Sequence, residues 1–245
     1  MKIIGSDYDG TLNHGGFDEE KLAAIKKWQA AGNKFGVISG RNHDFLIGLP
    51  RDTGIEFDFL IAYNGGMIFT PDGKIIHETV CRDVPVAPFI KQLFAWGCNF
   101  ANMCGSKYYK IWRSAELRKE GDWLPEETPE FESFYQISVQ LPTEKESARI
   151  VGLVKDKYGA WLNPLQNGTC IDIVPKGMNK AVGLENTRLY YGAAHEDIIA
   201  VGDNLNDADM IRAFRSYAME TGSETLKKMA TFITTGITEL IYKEI

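Results

Sequence analysis

Asp7-Tyr8-Asp9-Gly10-Thr11 sets two carboxylates two residues apart at the end of an apolar run, Ile3-Ile4-Gly5-Ser6. Side chains alternate along an extended chain, so both acids are expected on one side of a strand end. Gly10 permits a sharp reversal that brings backbone close to whatever the carboxylates hold. Three more groups with chemical capacity lie far away in sequence: Ser39-Gly40-Arg41, Lys180, and the acids Asp203 and Asp207 flanking Asn206. Hard oxygen ligands suit Mg²⁺, and Mg²⁺ beside a lysine and a serine suits a phosphoryl group.

Each of these has a plainer use when taken alone. Asp203-Asn204-Leu205-Asn206-Asp207 suits a helix start, since Asp and Asn are preferred caps. Lys180 alone suits a solvated helix, Ser39-Gly40 a turn, and Arg41 a surface ion pair of little worth. Their joint placement argues otherwise. Segments 3–6, 35–38 and 198–201 read as short buried strands separated by helical patterns, the signature of a parallel α/β sheet. Asp18 is placed to cap a helix carrying Leu22, Ile25 and Trp28, which Gly32 ends. Asp7 and Asp9, Ser39 and Arg41, and Asp203 and Asp207 then all sit at carboxyl ends of parallel strands, where open α/β sheets bind ligands. Segment 175–180 leads into a helix over 181–190 and supplies a cation near its N-terminus, where anions are favoured.

The middle of the chain has another character. Thr70-Pro71-Asp72-Gly73 joins segments 67–69 and 74–76 as a hairpin. A helix is expected over 85–96, a strand covered on one face over 136–141, a helix over 144–158, and a hairpin through Gln166-Asn167-Gly168. These features predict an α+β module at 82–174 inserted into a Rossmann-like α/β core formed by 1–81 and 175–245. The module contains Lys107, Tyr108, Tyr109, Lys110, Trp112, Arg113 and Trp123, a set more typical of core packing than of a ligand platform.

Composition narrows the function classes. A net charge of −6 argues against a nucleic-acid partner. No apolar stretch approaches the roughly 20 residues needed to span a bilayer. Acids follow the first residues closely, unlike a secretory signal, so a cytoplasmic location is the expectation. Cys81, Cys98, Cys104 and Cys170 form no C-x-x-C pair, and His14, His43, His77 and His195 are scattered, so zinc and Cys/His catalysis lack local support. Oligomeric state is not legible.

At these positions the chain resembles the haloacid dehalogenase superfamily, and within it the Cof-type phosphatases with a C2 cap. Asp7-Tyr8-Asp9-Gly10-Thr11-Leu12 matches motif I, Ser39-Gly40-Arg41 motif II, Lys180 the motif III lysine, and Gly202-Asp203-x-x-Asn206-Asp207 motif IV. Asn64-Gly65-Gly66 is similar to the N-G-A segment that precedes the cap in those proteins. Gly5 departs from the larger apolar residue usual there, Ser39 from the commoner Thr, and segment 235–245 lacks the usual Asp-Gly-Val.

The resemblance implies a phosphatase acting on a small phosphorylated metabolite, a sugar phosphate or similar, through an aspartyl-phosphate. It makes Asp7 the nucleophile and Asp9 the acid/base, and assigns Mg²⁺ to Asp7, the Asp9 carbonyl and Asp203. Ser39, Gly40, Arg41, Lys180 and Asn206 then meet the phosphoryl group or substrate, with Thr11, Asn64 and Asp207 in support. Arg41 stays open between substrate contact and structure. A phosphomutase or phosphotransferase shares motif I, whereas a phospho-accepting signalling domain needs neither Asp9 as acid/base nor a cap, and a non-catalytic binding protein would have lost Asp7 or Asp9.

Overall fold

The computed structural model describes residues 1–245 as two compact units, Met1–Glu78 with Asn179–Ile245, and Thr79–Met178. The segment expected as an insertion, 82–174, lies inside the second.

The first unit is built on an eight-stranded sheet. Its order is Phe232–Thr234, Arg215–Met219, Ile198–Gly202, Ile3–Asp7, Lys34–Ile38, Phe59–Ala62, Met67–Phe69 and Ile75–Glu78. The first six strands run parallel and the last two antiparallel. Ile3–Asp7 and Ile198–Gly202 are buried along their whole length, which is why both read as continuous apolar runs rather than alternating ones. Ile3–Asp7 pairs with Lys34–Ile38 on one side and with Ile198–Gly202 on the other. The chain therefore leaves the central strand first one way and later the other, and the carboxyl ends meet at a switch point. A Cβ at Gly5 would stand 2.8 Å from the Leu184 side chain, so the small residue in this strand makes room for a helix.

The helices follow their local signals. Asp18 caps Glu19–Ala30 by accepting a hydrogen bond from the Lys21 amide at 2.8 Å. Asn179 caps Lys180–Tyr191 through the Val182 amide at 2.9 Å. Segment 235–245 supplies a further helix, Ile237–Glu244.

The second unit is an antiparallel sheet ordered Tyr108–Trp112, Phe100–Cys104, Gln136–Gln140, Cys170–Pro175 and Leu162–Asn167. Ala101, Met103, Ile111, Ile137, Val139, Ile171 and Ile173 share one core with Phe89, Ile90, Leu93, Ile150 and Val154 from the helices Val86–Ala95 and Glu144–Tyr158. The aromatic segment is divided: Trp112 is buried, Tyr109 and Trp123 pack partly buried against that core, and Tyr108 is exposed. No helix of the chain is long and apolar enough to cross a membrane.

Candidate active site

The strand Ile3–Asp7 ends on a carboxylate that is only 4% exposed. Lys180, the first residue of its helix, is buried beneath it and donates to Asp7 Oδ1 and Asp207 Oδ1, each at 2.6 Å. Asp207 is held by more than the lysine, because its Oδ2 accepts the amides of Asp203 at 3.0 Å and Asn204 at 3.2 Å. Asp203, just beyond Ile198–Gly202, accepts from Thr11 Oγ1 at 3.0 Å. Gly10 has φ +80°, and a Cβ there would lie 2.7 Å from Asp203 Oδ2. Only glycine allows that reversal and that approach together.

Carboxylate oxygens of Asp7, Asp203 and Asp207 lie within 4.8 Å of one another. Burial raises the Asp7 carboxyl well above its ordinary value; Lys180 opposes the rise, and Asp207 and Asp203 add to it. Burial, then Asp207, also raises Asp203. Burial depresses Lys180, but Asp207 and Asp7 outweigh it, so the net shift is upward and the side chain stays cationic. Three acids against one ammonium leave negative charge under-compensated. Asp207 already accepts three donors, so Asp7 and Asp203 are the less occupied carboxylates of the three. Hard oxygens with excess negative charge fit Mg²⁺, which coordinates through one or two carboxylates. Asn206 Oδ1, in the same loop, is buried without a hydrogen-bond partner.

Asp9 departs from the expected arrangement. Alternation holds only in extended backbone, and the strand stops at Asp7; Asp9 then sits in a tight turn closed by the Asn13 amide donating to the Tyr8 carbonyl at 3.1 Å. Asp7 turns into the protein, while the Asp9 side chain is 50% exposed and pairs with Arg41. The two acids are therefore not equivalent neighbours on one face.

Ser39 is buried, and its Oγ accepts the Arg41 amide at 3.1 Å. The Ser39 and Arg41 carbonyls accept the amides of Asn64 at 2.9 Å and Tyr63 at 3.1 Å, bracketing Gly40. Tyr63 and Asn64 both adopt left-handed backbone, with φ 54° and 53°; Asn tolerates this, whereas Tyr63 is strained. Gly65 follows with φ +108°, and a Cβ there would stand 2.3 Å from the Asn179 carbonyl. The glycine thus lets the helix that begins with Lys180 come close. Asp7, Thr11, Lys180, Asp203 and Asp207 are in one contact network; Asp9, Arg41, Ser39 and Asn64 form a second chain of contacts, joined where the Arg41 amide meets Ser39 Oγ.

Lys21 escaped the sequence analysis. Its ammonium is buried and donates to the carbonyls of Leu12 at 3.0 Å and His14 at 2.8 Å, clasping the loop that follows Thr11. Burial lowers its pKa. The signal was present: Lys21 lies on the helical stripe of Ala24, Ile25 and Trp28, where an apolar residue is expected.

The model of the haloacid dehalogenase-like hydrolases matches residues 4–239. A 5-amino-6-(5-phospho-D-ribitylamino)uracil phosphatase of Escherichia coli is 25% identical over 248 residues, covering 95% of this chain and 90% of its own. A Bacillus subtilis phosphatase of the same description is 46% identical over only 61 residues, covering 24% of this chain and 23% of its own. Among solved structures, a sugar phosphatase of HAD subclass IIB superposes with a TM-score of 0.81 at 17% identity, covering 100% of this chain and 99% of its own.

Proposed function

Because the chain belongs to the haloacid dehalogenase-like hydrolase family and is a phosphatase of the Cof type, we propose that it hydrolyses a small phosphorylated metabolite through an aspartyl-phosphate on Asp7, with Mg²⁺ as cofactor. The observation that carries this reading is the buried Asp7 carboxylate at a strand end, held at 2.6 Å by Lys180 and close to Asp203. In the first step an Asp7 oxygen attacks phosphorus, the bond from phosphorus to the leaving oxygen breaks, and Asp9 gives that oxygen a proton. In the second, water attacks the phosphorus of the aspartyl-phosphate, Asp9 takes a proton from the water, and inorganic phosphate leaves Asp7. Lys180 orients the nucleophile, and Ser39 and Lys180 meet phosphoryl oxygens, on which charge concentrates. Asp7, Asp203 and the Asp9 carbonyl would hold Mg²⁺, which when bound reduces repulsion between the nucleophile and a phosphate dianion.

Sugar phosphates and phosphorylated sugar-alcohol derivatives are the favoured substrate class, since similar proteins are named for them. The inserted unit is assigned the role of a cap that selects the leaving group. The first assay is p-nitrophenyl phosphate turnover with Mg²⁺. Wild type is expected to release phosphate, Asp7→Asn to be inactive, and EDTA to abolish turnover. Full activity of Asp7→Asn removes the covalent mechanism, and turnover in EDTA removes the cofactor. A panel of phosphorylated metabolites, read as free phosphate against phosphoryl transfer to a sugar acceptor, then separates hydrolase from transferase.

A further inference from the structure

The Asp9–Arg41 pair has more geometry than an exposed ion pair needs. Arg41 Nε donates to Asp9 Oδ2 and Nη2 to Asp9 Oδ1, both at 2.7 Å, so the fork engages both carboxylate oxygens. The guanidinium carbon stands 4.1 Å from the centre of the Phe45 ring and 5.7 Å from that of Tyr8. Those two rings meet edge to face at 5.4 Å and 72°. Phe45 is itself fixed, its amide donating to the Asn42 cap at 2.9 Å. The Arg41 backbone is fastened at both ends, its amide on Ser39 Oγ at 3.1 Å and its carbonyl by the Tyr63 amide at 3.1 Å.

Pairs as open as this one, 43% and 50% exposed, contribute at most about 1 kcal/mol to stability. The fold does not need it. What the arrangement does is take a carboxylate on a loop and allow it one direction.

We propose that Arg41, backed by Phe45, is a positioning residue for Asp9 rather than a phosphate-binding residue: the fork aims the ionised Asp9 that takes a proton from water, and one of its two bonds opens when Asp9 carries the proton it gives to the leaving oxygen. This rests on the assignment of Asp9 as acid/base. A lysine keeps the charge but lacks the planar fork, so Arg41→Lys should leave Asp9 loosely aimed.

Leaving-group dependence isolates that role. Phenyl phosphate, with its basic leaving oxygen, needs the proton from Asp9 far more than p-nitrophenyl phosphate does. Asp9→Asn is the reference and should lower kcat/KM for phenyl phosphate by about 10²–10⁴, with a smaller loss for p-nitrophenyl phosphate. Arg41→Lys should show the same bias at about tenfold or more for phenyl phosphate, with inhibition by inorganic phosphate unchanged. Phe45→Leu, which removes only the platform, should bias in the same direction by less. Equal losses for the two esters with weaker phosphate inhibition in Arg41→Lys would make Arg41 a phosphate contact and overturn the proposal. A reference variant without leaving-group bias would instead remove the acid role of Asp9, and the proposal with it. Bias in Asp9→Asn but none in Arg41→Lys would overturn the proposal alone.

Discussion

Among the buried carboxylates of the first unit, Asp7 and Glu244 have opposite surroundings. Asp7 is 4% exposed and Glu244 6%. Asp7 touches one ammonium and has two further acids close by, and its pKa is raised by burial. Glu244 accepts from Tyr217 Oη at 2.6 Å and Arg215 Nε at 2.7 Å, with Lys2 Nζ at 3.4 Å. Burial pushes Glu244 up too, but Tyr217 and Arg215 outweigh it and the net shift is downward. A carboxylate with three donors around it is a fastening: Glu244 ties the C-terminal helix to Lys2, just ahead of the strand Ile3–Asp7, and to the strand Arg215–Met219. A buried carboxylate left short of positive charge is poised to accept a cation or to attack an electrophile.

Asp7→Asn should break the comparison most visibly. Activity should fall by about four orders of magnitude or more, as for loss of a nucleophile. Stability should move the other way. The folded pKa of Asp7 lies above its unfolded value of about 3.9, so the folded protein holds that proton longer and loses stability as pH rises through this window. Asparagine does not ionise, so in EDTA the Tm of Asp7→Asn relative to wild type should rise from pH 4 to pH 7. A Tm difference that is constant across that range would contradict the under-compensated charge at Asp7.

Lys180→Met is next. Removing the partner of a buried pair leaves an uncompensated charge, at a cost of about 3–5 kcal/mol. Here Asp7 and Asp207 both lose it. Lys2→Ala at the other cluster should cost less than about 1 kcal/mol, because Lys2 is 42% exposed and Arg215 remains. Chemical denaturation of both variants checks the contrast, and equal losses would mean that the two clusters are equally well compensated.

Much of the candidate site was legible in the sequence because its residues lie at strand ends whose apolar runs are unbroken. Asp7 and Ser39 follow segments 3–6 and 35–38 directly, and Asp203 follows 198–201 after one glycine. The helix at 144–158 was equally plain, bounded by Thr143 as cap and Gly159. What stayed hidden depends on turns and on distance along the chain. The opposite fates of Asp7 and Asp9 turn on where one strand stops, which periodicity places only to within a residue or two. The strands Phe59–Ala62, Phe100–Cys104 and Tyr108–Trp112 were not singled out. The first is four residues of unbroken apolar character, and the last is aromatic-rich, so its composition suggests core before it suggests extended backbone. Partners of Glu244 lie up to 242 residues away, a separation no local pattern encodes.

Glu244→Gln gives the smallest and most specific contrast. The amide keeps the shape and still accepts hydrogen bonds, but it loses the charge that Arg215 and Lys2 face, at a cost of about 1–3 kcal/mol. The folded pKa of Glu244 lies below its unfolded value of about 4.3, so its contribution is full above that value and is lost as pH falls through the folded one. The Tm gap between wild type and Glu244→Gln should therefore be widest near neutrality and close below about pH 4, the reverse of the sign expected at Asp7. Phosphatase activity at a temperature where both proteins are folded should be unchanged. A gap that persists unaltered to pH 3 would assign the stabilisation to packing at the C-terminal helix rather than to charge, and would leave Asp7 alone of the two as a carboxylate whose ionisation the fold registers.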